Sequence, residues 1–133
     1  MAATMRLLLD THCLLWARAA PDRLSPDARR ALTDPRHQLF VSVASVWEIV
    51  IKHALGRLEL AHAPESLLPR LIAATQAATL PIEQSHALRV ARLPLHHADP
   101  FDRILIAQAQ VERLTIMSAD ERFSDYDVKV LRA

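Results

Sequence analysis

Arg6-Leu7-Leu8-Leu9 runs directly into Asp10. Three consecutive leucines leave neither face of a strand polar. Such a strand belongs in the centre of a parallel sheet, where helices cover both faces. The rest of the chain keeps the alternation going. A helix is expected over about residues 12–19. Ser25-Pro26-Asp27 starts another, with Ser25 as N-cap and Pro26 at the first helical position; it ends near Thr33, before Asp34-Pro35. Leu39-Phe40-Val41 reads as a second strand. Ser42 caps a helix that lasts to Leu55 and stops at Gly56. A helix after Pro64 carries Leu67, Leu68, Leu71 and Ile72. Residues 79–82 form a weaker strand and 85–93 a helix. Asp99-Pro100 opens a helix reaching about Arg113, and 115–117 and 128–131 are the last two strands. Strands alternating with helices define an α/β protein, with a parallel sheet of four to five strands between helical layers. The eight prolines are read as punctuation between elements, not as residues inside them.

Composition narrows the function classes. The 133 residues are 51% apolar and 5% aromatic, enough for one domain over residues 1–133 with a mostly aliphatic core. Gly56 is the only glycine, which argues against a Gly-rich phosphate loop and against a dinucleotide fingerprint. A net charge of +1 supplies no bulk attraction for nucleic acid, so any such site must be local. The single cysteine, Cys13, precludes an intrachain disulfide and fits a reducing cytosol. No secretory leader opens the chain, and no apolar run approaches the roughly 18 residues of a membrane span. The expectation is a soluble cytoplasmic protein with no membrane partner.

Ligands of an open parallel α/β sheet bind outside the carboxyl ends of its strands. Asp10 follows the first strand directly. Asp120 follows the fourth after only Ser118 and Ala119. Asp99 and Asp102 lie at a helix start facing the same edge, and Glu48 sits two turns into the helix leaving the second strand. Neighbouring carboxylates repel and raise each other's pKa. A divalent cation relieves this, and hard oxygen ligands completed by water suit Mg²⁺ or Mn²⁺. No zinc-type His/Cys spacing and no Ser-His-Asp or Cys-His motif competes. Each acid also has a structural reading. Asp10 and Asp120 are placed to cap the turns after them. Ser45, Glu48 and Lys52 form the one polar stripe of an otherwise apolar helix, which suggests an exposed Glu48–Lys52 pair. Asp99 and Asp102 are spaced as N-cap and N3 of a capping box. Position alone leaves both readings open.

Whole strings carry more. Leu9-Asp10-Thr11-His12, with Trp16 beyond, resembles the opening of PIN-domain proteins. Ser45-Val46-Trp47-Glu48-Ile49, then Lys52 and Leu55-Gly56-Arg57-Leu58, resembles their second acidic motif. His97-Ala98-Asp99-Pro100-Phe101-Asp102-Arg103, running into Leu105-Ile106-Ala107-Gln108-Ala109, is similar to the third, and Ser118-Ala119-Asp120-Glu121-Arg122-Phe123, with Tyr126, to the fourth. All four stand in family order across essentially the whole chain, and within the family they look most like the VapC-type toxins of bacterial toxin–antitoxin modules. The resemblance implies a three-layer α/β/α fold and a Mg²⁺- or Mn²⁺-dependent endoribonuclease, a hydrolase of RNA phosphodiester bonds. It implies a homodimer and a small cognate antitoxin that blocks the site. Carried over residue by residue, the catalytic and metal-holding acids are Asp10, Glu48, Asp102 and Asp120. Asp99 matches a subgroup position, and Thr11 and Ser118 match hydroxyl positions beside the acids, Ser118 standing where Thr is commoner. Cys13 stands where an aliphatic residue is usual and is expected to pack.

Other residues are weighed beside these. Arg103 contacts a substrate phosphate or, on the preferred reading, pairs with a neighbouring acid. His96 and His97 line an RNA path or are simply solvated. Lys52 orients Glu48 or faces solvent. Trp16 and Trp47 are expected in the core or an interface, and Asp125 and Asp127 at the surface. Two rival functions remain at this stage. One is an aspartyl-nucleophile phosphatase built on Asp10, although such enzymes place a second Asp two residues on, where this chain has His12. The other is a non-catalytic PIN-like module that only binds a partner, against which the intact acid set speaks.

Overall fold

The computed structural model describes residues 4–133. Five strands, β1 (Arg6–Leu9), β2 (Gln38–Ser42), β3 (Ala78–Leu80), β4 (Thr115–Ser118) and β5 (Val130–Arg132), form one sheet in the order β3-β2-β1-β4-β5. Every pairing is parallel. The helices are α1 (Thr11–Ala19), α2 (Pro26–Thr33), α3 (Val43–Ala54), α4 (Pro64–Thr75), α5 (Gln84–Val90) and α6 (Pro100–Glu112).

The triple-leucine strand lies at the centre, as its two-sided apolarity requires. Leu7, Leu8 and Leu9 are all fully buried. Leu7 and Leu9 pack on one face with Cys13, Leu24, Ala28 and Ala31. Leu8 packs on the other with Leu105, Ile106 and Ile116. A third cluster joins Leu14, Val41, Ile49, Leu68 and Leu71 beneath α1, α3 and α4. The expected fold class is therefore the observed one, with five strands.

Capping follows the sequence closely. The Ser25 hydroxyl accepts from the Ala28 N–H, and the Ser42 hydroxyl from the Ala44 N–H, each supplying an acceptor to an otherwise free helix-end donor. Gly56 takes φ +71° just past α3, where a side chain would be strained. One expectation fails. Pro69 lies inside α4, although the prolines are read as falling between elements. An interior proline forfeits a helical hydrogen bond and costs about 3 kcal/mol. Its neighbours Leu68 and Leu71 are 2% and 9% exposed, and burying two leucines is worth about 1.5–3 kcal/mol each. That burial offsets the break. Among the described residues no helix is long and apolar enough to cross a membrane.

The register sets up the site. Leu9 lies opposite both Val41 of β2 and Met117 of β4, so the three central strands end level, at Asp10, Ser42 and Ser118. The chain winds outward from β1 through β2 and β3, then crosses to β4 on the other side of β1. The reversal point, between β1 and β4, is where an open α/β sheet has its crevice.

Candidate active site: a carboxylate cleft at the reversal point

Asp10 leaves β1 at this crevice. Its N–H still donates to the Met117 carbonyl at 3.0 Å, which fixes the backbone. One carboxylate oxygen accepts from the Cys13 N–H at 2.8 Å and caps α1; the other accepts from the Ser118 hydroxyl at 2.5 Å. The capping and site readings of Asp10 are therefore compatible. The Ser118 hydroxyl also accepts from the Asp120 N–H at 3.0 Å, tying the two strand ends together. Cys13 is fully buried. Burial and the Asp10 carboxylate push its thiol far up, so it packs, as expected, and stays unreactive.

Glu48 departs most from its structural reading. It is 3% exposed, not a surface residue. The Thr11 hydroxyl donates to its Oε1 at 2.5 Å, and Lys52 donates to its Oε2 at 2.5 Å. Glu48 holds the Lys52 ammonium more strongly protonated than usual. The polar stripe of α3 thus turns inward, with Ser45 also buried, while Val43, Trp47 and Val50 are 38%, 57% and 43% exposed. Trp47 is outside the core, its ring edge-on to Phe101 at 5.4 Å.

At the start of α6, Asp99 Oδ1 accepts from the Phe101 and Asp102 N–H groups at 2.8 and 3.3 Å. Asp99 is the N-cap. The reciprocal half of a capping box is taken by another residue: the Asp99 N–H donates to His97 Nδ1 at 3.2 Å. Asp102 is left to face the cleft. Burial first, then Asp99, Glu48, Asp10 and Asp120 in turn, push its carboxyl up to about 7. Asp120 behaves oppositely. The Arg122 guanidinium donates to both its oxygens, at 3.2 and 2.9 Å, and holds its carboxyl below the usual range.

Asp10, Thr11, Glu48, Lys52, Asp99, Asp102, Asp120 and Arg122 line one small cleft of about 130 Å³, with His12 and Phe123. Five acids meet two cations there. The acids' hard oxygens match a divalent cation such as Mg²⁺ or Mn²⁺, and burial together with four neighbouring acids raises the Asp102 carboxyl. The donor set fits such an ion.

Two sequence readings need correction. Arg103 pairs with no acid and does not face the cleft. Its guanidinium donates to the carbonyls of Pro94 at 2.8 Å, Val90 at 3.2 Å and Leu93 at 3.3 Å, because five rigid donors suit the unpaired carbonyls where α5 ends. His97 is not solvated. It is 5% exposed, and its Nε2 lies 2.7 Å from Asp102 Oδ2 and 3.8 Å from Asp120 Oδ2. The overlooked signal is its position two residues before an N-cap Asp, which places Nδ1 under that residue's N–H. Asp125 and Asp127 are exposed, as expected.

A parallel sheet bearing a carboxylate cleft at its reversal point defines the class, and the sequence profile agrees with it. The PIN domain profile matches residues 7–129; the chain belongs to the PIN-domain family. The fold is similar to VapBC2 from Rickettsia felis bound to a DNA fragment from its promoter, at 11% identity and TM-score 0.72, covering 96% of this chain and 98% of that one. It is also similar to DNA-bound VapBC from Salmonella typhimurium, at 13% identity and TM-score 0.66, over 97% and 98%. A third likeness is to FitAcB from Neisseria gonorrhoeae, at 19% identity and TM-score 0.59, over 95% and 96%. No curated protein sequence matches the chain.

The raised Asp102 carboxyl has a consequence for stability. An unfolded chain releases that proton near pH 3.8, the folded one near 7. Between these values the folded state holds the extra proton, so metal-free stability falls as pH rises. At about 1.4 kcal/mol per pKa unit, the loss is a few kcal/mol. Thermal unfolding in chelator should find Asp102→Asn more stable than wild type above pH 7, with the gap closing towards pH 4. Parallel pH curves for the two proteins would remove the strain assigned to this carboxyl.

Proposed function

We propose that this protein is a divalent-metal-dependent endoribonuclease, the VapC-like toxin of a toxin–antitoxin pair acting in the cytoplasm. The observation that carries the reading is the convergence of Asp10, Glu48, Asp102 and Asp120 on one cleft at the sheet's reversal point, with fewer cations than acids. Membership of the PIN-domain family supports a nuclease. The likeness to VapBC and FitAcB structures supports the toxin role.

In this reading Asp10, Glu48, Asp102 and Asp120 hold Mg²⁺ or Mn²⁺, with Asp99 assisting as the cap that orients the start of α6. When bound, the ion supplies Lewis acidity towards a phosphodiester and its attacking water. The chain's own groups supply orientation. Ser118 and the Cys13 N–H fix the Asp10 carboxylate, and Thr11 and Lys52 fix Glu48. Lys52 and Arg122, at the cleft, are the cations available to an RNA phosphate, the local attraction that a net charge of +1 does not provide. His12 stands two residues after Asp10, where a phosphatase of that kind places a second Asp, which disfavours Asp10 as a phosphatase nucleophile.

Two partners complete the proposal. The exposed stripe of Val43, Trp47 and Val50 on α3 supports a homodimer, because a soluble monomer gains little from a tryptophan 57% in water. A cognate antitoxin is the second partner, with a short reading frame beside the gene as its corollary.

Purified protein should cut single-stranded RNA with Mg²⁺ or Mn²⁺ and stop in chelator. Asp10→Asn and Glu48→Gln should each lower the rate more than about 100-fold, beyond the usual effect of an outer-shell change, with the far-ultraviolet circular dichroism unchanged. Cleavage by folded Asp10→Asn at the wild-type rate would sink the site. Light scattering at micromolar concentration should read twice the chain mass for wild type and less for Trp47→Glu; a wild-type monomer would end the dimer reading.

A further inference from the structure

The imidazole of His97 is a buried polar group without a hydrogen-bond partner at one of its nitrogens. His97 is 5% exposed. Nε2 touches Asp102 Oδ2 at 2.7 Å yet lies off the line of a hydrogen bond to any acceptor. Buried donors left like this are rare, and this one sits against two acids of the proposed metal cleft. Nε2 also lies 3.8 Å from Asp120 Oδ2, so His97, Asp102 and Asp120 form one close group.

The other nitrogen settles which form the ring takes. Nδ1 accepts the Asp99 N–H at 3.2 Å. A neutral imidazole with an accepting Nδ1 carries its proton on Nε2. Nε2 is then an N–H facing carboxylates, not a lone pair facing a metal.

The ring is also held in place from behind. The His97 N–H donates to the Tyr126 hydroxyl at 2.8 Å. The His97 carbonyl accepts from Arg103 at 3.4 Å, and the same guanidinium gathers the carbonyls of Val90, Leu93 and Pro94. Phe123 meets the ring edge-on at 6.4 Å. These contacts explain what Arg103 does: it locks the segment that presents His97.

The geometry points to His97 as a positioning residue: its Nε2–H lies against Asp102 Oδ2, a small turn of the ring brings it into line to donate there, and it thereby holds Asp102 beside Asp120 without serving as a metal ligand. The inference rests on the metal-nuclease reading above. Histidines near metal sites ordinarily ligate through one nitrogen and donate through the other. Here the backbone N–H of Asp99 occupies the nitrogen that would have to give up its acceptor role.

Three measurements test this. In the metal-free protein, a long-range proton–nitrogen spectrum of the histidine rings, with the His97 signals assigned by their loss in His97→Gln, should report protonation at Nε2. Protonation at Nδ1 would overturn the inference independently of any metal. Calorimetric Mn²⁺ titration should give affinity 10–100-fold weaker for His97→Leu, as for loss of other outer-shell donors. It should stay within about threefold for His97→Gln, whose amide N–H reaches the same place. Equal weakening in both variants would reduce His97 to packing, and no weakening in either would remove its role. Pulsed electron paramagnetic resonance of bound Mn²⁺ should lack coupling to a directly ligated histidine nitrogen; such a coupling would make His97 a ligand. If wild type binds no Mn²⁺ while the Nε2–H form is present, the metal-nuclease reading fails and takes the positioning role with it.

Discussion

The crowding of five carboxylates into one partly buried cleft at the reversal point of the sheet is the constraint around which this protein is arranged. Five acids share a cleft of about 130 Å³. Three of them are held by donors that suit their positions. Asp10 is gripped by a backbone N–H and by Ser118, Glu48 by Thr11 and Lys52, and Asp120 by Arg122. Asp102 has only the off-line His97 N–H, and its carboxyl rises to about 7. The residual charge is concentrated where a divalent cation would restore balance.

The scaffold keeps these donors in register. A slip of β1 by one residue would draw Arg6 or Asp10 into the apolar layer that Leu7, Leu8 and Leu9 fill, and burying a charge there is costly, so the charged residues flanking the leucines fix where Asp10 emerges. The level ends of β1, β2 and β4 place Asp10, Ser42 and Ser118 in one row. Ser42 starts α3, and two turns later that helix delivers Glu48. An error anywhere in this register would move a carboxylate by a residue's rise, about 3.3 Å, a distance no single hydrogen bond would bridge.

Much of this was legible in the chain, for physical reasons. Strand β1 has only one sensible environment, and Ser25, Ser42 and Asp99 mark helix starts through short side chains that accept backbone protons. Three features were not legible. The polar stripe of α3 suggests an outward Glu48–Lys52 pair, because local sequence does not reveal that the opposite, apolar face is the one left exposed. Arg103 and His97 depart from the sequence expectation because their partners, Val90 to Pro94 and Tyr126, are fixed by tertiary packing. Pro69 was misplaced because neighbouring buried leucines hold a helix that propensity alone would end.

The central claim is that Asp10, Glu48, Asp102 and Asp120 together hold one divalent cation centre. Anomalous diffraction from Mn²⁺-soaked crystals above pH 7 tests it most directly. The account predicts a peak within coordination distance of these carboxylates, lost in crystals of Asp10→Asn. A cleft without anomalous density at saturating Mn²⁺, or a peak held by other residues, would contradict it.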